Sequence, residues 1–137
     1  MVKAHPVFGL GPEEIAKPAV FDSYVPADLP RPLPVGFYGH LHSIYVHYAA
    51  ERGIPAVLLL VSALLGAIWR FRKALRNLQP GRSYRRFLLE FATASVIGVM
   101  VSGVFELNLG DSEVLTMFLV VLCLGELALP PDIMETR

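Results

Sequence analysis

Apolar positions crowd into the second half of the chain, in three blocks whose lengths invite comparison with a lipid bilayer. Residues 54–71 read IPAVLLLVSALLGAIWRF. As a helix they span about 27 Å at 1.5 Å per residue, close to the hydrocarbon thickness of a membrane. Pro55 stands at the start of that block, where a missing N–H costs little, and Trp69 at its far end, where an amphipathic ring suits the interface. Residues 87–107 (FLLEFATASVIGVMVSGVFEL) predict a second span with Glu90 and Glu106 near its two ends. Residues 114–129 form a shorter third block that crosses only with tilt or local thinning, and it places Glu126 about one turn before the terminating Pro130 and Pro131. The pattern therefore predicts an all-α integral membrane fold with three transmembrane helices, at about 54–71, 87–107 and 114–129.

The first 53 residues differ in kind. Seven of the eleven prolines fall between positions 6 and 34, a density that blocks regular helix and sheet. The stretch 25–35 (VPADLPRPLPV) is expected to be extended and partly polyproline-like. From 41 to 52 the composition shifts to LHSIYVHYAAER, a short helix ended by Gly53. Gly9-Leu10-Gly11-Pro12 reads as a turn; as a phosphate cradle it lacks the preceding strand and following helix.

Composition agrees with a membrane assignment: 54% of the 137 residues are hydrophobic and 18% charged, against about 25% charged in soluble domains. Twelve basic and twelve acidic residues cancel, so no global field recruits nucleic acid. A single cysteine, Cys123, supports neither an internal disulfide nor a structural zinc site. Charge placement says more than charge total. Seven cations (Arg70, Arg72, Lys73, Arg76, Arg82, Arg85 and Arg86) occupy residues 70–86 with no acidic residue among them, which marks a cytoplasmic loop by the positive-inside rule. The loop 108–113 holds two acidic residues and no basic one, so it belongs outside. Residues 1–53 then also lie outside, and the tail after 129 lies inside. No signal peptide precedes the polar N-terminal segment, so the expectation is a C-terminal part of a larger multi-span protein whose earlier transmembrane helices carry that segment across.

Three further contacts are expected within the helices. Glu90, Ala94, Gly98, Ser102 and Glu106 recur every four residues as a stripe, small in its middle, suited to close helix packing or, less simply, to a polar track. Arg86 is placed to pair with Glu90. Glu126 is expected to meet water or the Arg82 to Arg86 cluster.

The chemistry-bearing residues sit in and beside the short external helix. His40, His42 and His47 cluster there without an Asp, Glu or Cys that completes an evident metal set, so no metal is expected. Ser43 and His47 share a helix face while His42 points elsewhere, and no carboxylate stands at a spacing that would make a triad. Two readings remain: interfacial anchoring by Tyr38, Tyr45 and Tyr48 with incidental histidines, or acid–base chemistry or anion binding at the outer membrane surface.

AHPVFGLGP at 4–12, HLHSIYVHYAAERGIPAVLLL at 40–60 and GVFELNL at 103–109, in that order around a proline-rich loop and a basic loop, resemble the C-terminal part of the O-antigen ligase and polymerase family. The most specific element is H-x-H-[NS]-x-Y followed by E-x-G-[IL]-P and an apolar helix. The resemblance implies a polytopic glycosyltransferase of the bacterial inner membrane. Such an enzyme moves a glycan from an undecaprenyl-pyrophosphate carrier to a glycan or lipid acceptor hydroxyl at the periplasmic face, in lipopolysaccharide or polysaccharide synthesis, and the resemblance implies no cofactor, neither metal nor nucleotide. It makes His42 the essential periplasmic histidine, with Ser43 where asparagine is common. His40, Ser43 and Arg31 become substrate-binding candidates, Arg31 for the pyrophosphate. The alternative is a non-catalytic three-helix membrane protein that joins a larger assembly through the Ala94, Gly98 and Ser102 stripe.

Overall fold

The computed structural model describes residues 1–30 and 41–130, and among these it is helical with no strand. The helices are α1 (Pro18–Asp22), α2 (Ile44–Arg52), α3 (Ile54–Asn77), α4 (Tyr84–Ser102) and α5 (Ser112–Leu127), with single 3-10 turns at Glu14–Ala16 and Asn108–Gly110. Two compact units result, one of Met1–Leu60 with Val104–Leu107 and one of Val61–Gly103 with Asn108–Arg137.

In the first unit the proline-rich segment is less irregular than its composition suggests. Pro18 opens α1 at a first-turn position, where the N–H it lacks has no intrahelical partner. A small core forms from Ile15, Phe21 and Ala50, with Leu10, Val25 and Leu41 packed against it. Residues 25–30 make turns; the rest of the stretch expected to be extended lies outside the described residues. Gly53 ends α2 at φ 84°, as its position after Arg52 predicts, and α3 starts at the next residue with Pro55 in its first turn.

In the second unit the helix boundaries follow caps that hydropathy alone does not reveal. α3 continues six residues beyond the expected end at Phe71, because RKALRN consists largely of good helix formers, so Arg70 to Arg76 ride on a helix rather than in a loop. Ser83 caps the start of α4, its side chain accepting from the Arg86 N–H at 3.1 Å, and the helix ends at Ser102 before Gly103, short of the expected 107. Asp111 caps α5, its carboxylate accepting from the Glu113 N–H at 3.1 Å. Hydroxyls inside these apolar helices are satisfied by the preceding turn: Thr93 Oγ1 donates to the Leu89 carbonyl and Thr116 Oγ1 to that of Ser112, each at 2.7 Å.

Of the three spans the sequence predicts, only α3 is both long and apolar enough to cross a bilayer, with 11% of its apolar stretch buried within the protein. α4 carries Arg85, Arg86 and Glu90 in its first two turns. The sixteen residues of α5 reach only about 24 Å at 1.5 Å per residue.

The packing face of α4 also differs from the expected stripe. Leu89, Ala92 and Val96 are fully buried, whereas Ala94, Gly98 and Ser102 are exposed and a Cβ on Gly98 would meet nothing within 4 Å. The close approach is made by Gly125 of α5, where a Cβ would lie 2.7 Å from both the Ala92 Cβ and the Phe71 ring. Absence of a side chain there lets the fully buried Phe71 of α3 and Ala92 of α4 meet one backbone. Arg86 reaches Glu90 at 3.6 Å as the spacing predicts. Glu126 finds a cation outside the expected cluster, Arg70 of α3 at 2.5 Å. Both side chains follow the apolar part of their helices, so the pair brings the corresponding ends of α3 and α5 together.

Gly125→Leu is expected to cost about 1–3 kcal/mol by overpacking against Phe71 and Ala92, whereas Gly98→Ala, with open space around it, should change stability by less than about 1 kcal/mol; denaturation of the detergent-solubilised protein distinguishes the two. The Asp111 carboxyl is held below its ordinary value of 3.8 by its hydrogen bond with the Glu113 side chain, then by the backbone N–H groups of Glu113 and Val114. Since folding favours the ionised form, the cap is complete above that ordinary value and is lost as pH falls through the lower folded one. Acidification below about pH 4 should therefore speed amide exchange at Glu113 before it reaches the middle of α5.

Candidate functional site

The two most distinctive segments of the chain meet at the C-terminal end of α2. A helix end leaves its last carbonyls without intrahelical partners, and here the 6–13 loop supplies them. The Leu10 N–H donates to the Ala50 carbonyl at 2.8 Å and the Gly11 N–H to the Glu51 carbonyl at 2.9 Å, while the Ile54 N–H donates back to the Pro6 carbonyl at 2.8 Å. Such contact leaves no room for side chains. A Cβ on Gly9 would lie 2.3 Å from the Glu51 carbonyl carbon, and one on Gly53 would lie 1.9 Å from the Val7 oxygen. Gly9, Gly11 and Gly53 all adopt positive φ, which glycine allows without a steric penalty. The glycine turn at 9–12 is therefore a helix-capping turn, and the Leu10 and Gly11 amides are committed to α2 rather than available to a phosphate.

Beneath this junction lies an ionisable pair that the sequence reading did not single out. Glu51 and His47, one turn apart on α2, are 6% and 8% exposed, with His47 Nε2 3.4 Å from a Glu51 carboxylate oxygen. The other Glu51 oxygen accepts from the Glu13 N–H at 2.9 Å. That residue, alone among the described non-glycine residues, adopts a positive φ, 62°. A left-handed conformation costs a non-glycine residue about 1–2 kcal/mol, which a charge-assisted bond of about 1.5–3 kcal/mol offsets. On its far side the His47 ring accepts from the Leu41 N–H at Nδ1, 3.4 Å away. The imidazole thus bridges the Glu51 carboxylate and the backbone immediately before His42. The i, i+4 spacing of His47 and Glu51 was the available signal; their burial was not readable.

His42 has a contrasting setting. It lies just before α2, with Ser43 as the residue preceding the helix, and its side chain is 72% exposed. Its Nδ1 lies 3.8 Å from the carboxylate of Glu106, itself 65% exposed. Glu106 does not continue the expected helical stripe: α4 ends at Ser102, and residues 104–107 belong to the first unit. An exposed ion pair of this kind contributes only about 0–1 kcal/mol to stability, so its interest is chemical. Ser43 contributes its carbonyl to α2, accepting the His47 N–H at 2.9 Å. Tyr45 is partly buried, which pushes its phenol up and keeps it a neutral group. Arg52 stacks over the Tyr48 ring at 5.0 Å. His40, Arg31 and Tyr38 lie outside the described residues. Among the described residues no group of three or more His, Cys, Asp or Glu side chains gathers as a metal site.

Residues 1–61 match the family model described as O-Antigen ligase. The resemblance read from the sequence thus holds over the whole α2 junction and the first turns of α3. Neither a curated protein nor a solved structure matches the chain. The O-antigen ligase match, together with the apolar α3, fits a membrane protein.

Glu51→Ala would remove the acceptor of the Glu13 N–H and the carboxylate that faces the buried His47 ring, a loss of about 3 kcal/mol. Amide exchange at Leu10 and Gly11 should then quicken about 100-fold, whereas Glu51→Gln, which keeps an acceptor oxygen, should show a much smaller change.

Proposed function

We propose that the chain is the C-terminal part of a membrane glycosyltransferase of the O-antigen ligase type, transferring a glycan from undecaprenyl pyrophosphate to an acceptor hydroxyl at the periplasmic face of the bacterial inner membrane. In this reading α3, α4 and α5 all traverse the bilayer, with residues 1–53 and 108–113 outside and the basic α3–α4 turn inside. The observation that carries the proposal is the division of labour within the family-matched segment: His47 is buried between Glu51 and Leu41, while His42 next to it stays exposed beside a carboxylate.

A transfer of this type needs a base at the acceptor and positive charge at the leaving group. In this reading His42 takes the acceptor proton, and the Glu106 carboxylate, 3.8 Å from its Nδ1, stabilises the imidazolium that forms. The acceptor oxygen forms its bond to the anomeric carbon as the bond from that carbon to the pyrophosphate oxygen breaks. The charge left on pyrophosphate is assigned to Arg31, and hydrogen bonding of the sugars to His40 and Ser43. No metal and no nucleotide takes part in these steps.

A second reading, a non-catalytic membrane protein that packs into a larger assembly, draws support from the exposed Ala94, Gly98 and Ser102 stripe and from outward apolar residues such as Leu59, Met117 and Leu127. His42→Ala separates the two. In cells that make the protein from its own gene, catalysis predicts a fall of about 100-fold or more in glycan attachment or polymerisation at unchanged protein level. Unchanged surface glycan favours the assembly reading.

A further inference from the structure

The α3–α4 turn gathers cations that the glycan-transfer reading does not use. Arg72 and Arg76 lie four residues apart on the last turns of α3 and so share a face. Arg86 approaches from the first turn of α4, and the three arginines with Leu75 line an open cavity of about 270 Å³. Neighbouring cations are already neutralised or engaged. Arg70 is held by Glu126, and Arg86 makes contacts to Glu90 and to the Leu78 and Gln79 carbonyls. Among the described residues no carboxylate pairs with Arg72 or Arg76, and the Nε of Arg86 is buried without a hydrogen-bond partner. The turn therefore brings three arginines together around a cavity, two of them without a carboxylate partner among the described residues.

We propose that this cavity binds the phosphate of an anionic phospholipid headgroup. An anion among the three guanidinium groups turns mutual repulsion into attraction, and the planar N–H fork of arginine matches phosphate oxygens in pairs. Depth along α3 points to lipid rather than free phosphate. Trp69, 63% exposed with the Lys73 ammonium 5.2 Å above its ring, is the kind of residue that marks a membrane interface. Arg72 and Arg76 follow it by about 5–10 Å at 1.5 Å per residue, the depth at which headgroups lie. Leu75 adds an apolar wall suited to the glycerol and the root of an acyl chain. The site is independent of His42 and of any transfer reaction.

Native mass spectrometry of the full chain released from detergent micelles tests it, with phosphatidylglycerol, phosphatidylcholine of the same acyl chains, or inorganic phosphate added in turn. Phosphatidylglycerol should saturate one site at a concentration at least about ten-fold below that needed for phosphatidylcholine, since only the former carries net charge for the cluster. Arg72→Gln with Arg76→Gln should abolish that preference. Arg82→Gln, a cation of the same turn that does not line the cavity, should keep it. Should the double variant misfold by circular dichroism, Arg76→Gln alone should still reduce the preference several-fold. Equal binding of the two lipids by the unaltered chain, or an undiminished preference in a folded variant lacking these arginines, would overturn the proposal. Saturation by inorganic phosphate at the same concentration as phosphatidylglycerol would reassign the cavity to a free anion and overturn the lipid assignment.

Discussion

The carbonyl end of α2 has to be satisfied by something other than α2, and the first unit is organised around how that is done. Water could serve at an exposed helix end, but Ala50 is fully buried and Glu51 nearly so. Backbone amides from the 6–13 loop therefore dock onto these carbonyls, and the docking requires that Gly9 and Gly53 carry no side chain. The Glu51 side chain completes the junction by accepting from Glu13 and facing His47. Each element of this region then has its position set by α2. The Ile15 and Phe21 core rests on Ala50, α3 starts directly after Gly53, and the backbone before His42 is held to the His47 ring.

In the proposed membrane reading the second unit obeys a different rule: its exposed Leu65, Met117, Leu119 and Leu127 cost nothing against acyl chains. In lipid the hydrophobic effect does not drive helices together; close backbone approach and satisfied polar groups do. Gly125 supplies the approach, and Arg70 with Glu126 supplies the polar contact. A carboxylate near the end of an apolar helix is expensive when unpaired, and the neighbouring helix carries its cation one residue after Trp69.

The chemistry-bearing residues divide along similar lines. Two histidines five positions apart look equivalent in the sequence, yet one is nine-tenths buried between two protein partners and the other stands in the open beside Glu106. A buried imidazole held at both ring nitrogens is suited to holding structure. The exposed one, 3.8 Å from a carboxylate, is the residue to which the proposed reading gives proton transfer.

What is local was written in the sequence. The apolar runs, the stop at Gly53, Pro55 in a first turn, the Arg86 and Glu90 spacing and the glycine and proline order of the N-terminal motif all follow from backbone freedom, period and length. These act within a few residues of one another. The helix limits near Asn77 and Ser102 moved because propensity and a glycine decide them, not hydropathy. Only the tertiary structure decided which face of α4 packs, that Glu106 leaves its helix to stand beside His42, that Glu126 meets Arg70, and that the glycine turn caps α2. Each of these depends on the complementary surface of a segment far away in the chain. A period of four identifies a candidate stripe on a helix, but the partner that fills it, here Gly125 against Ala92, selects which stripe is used.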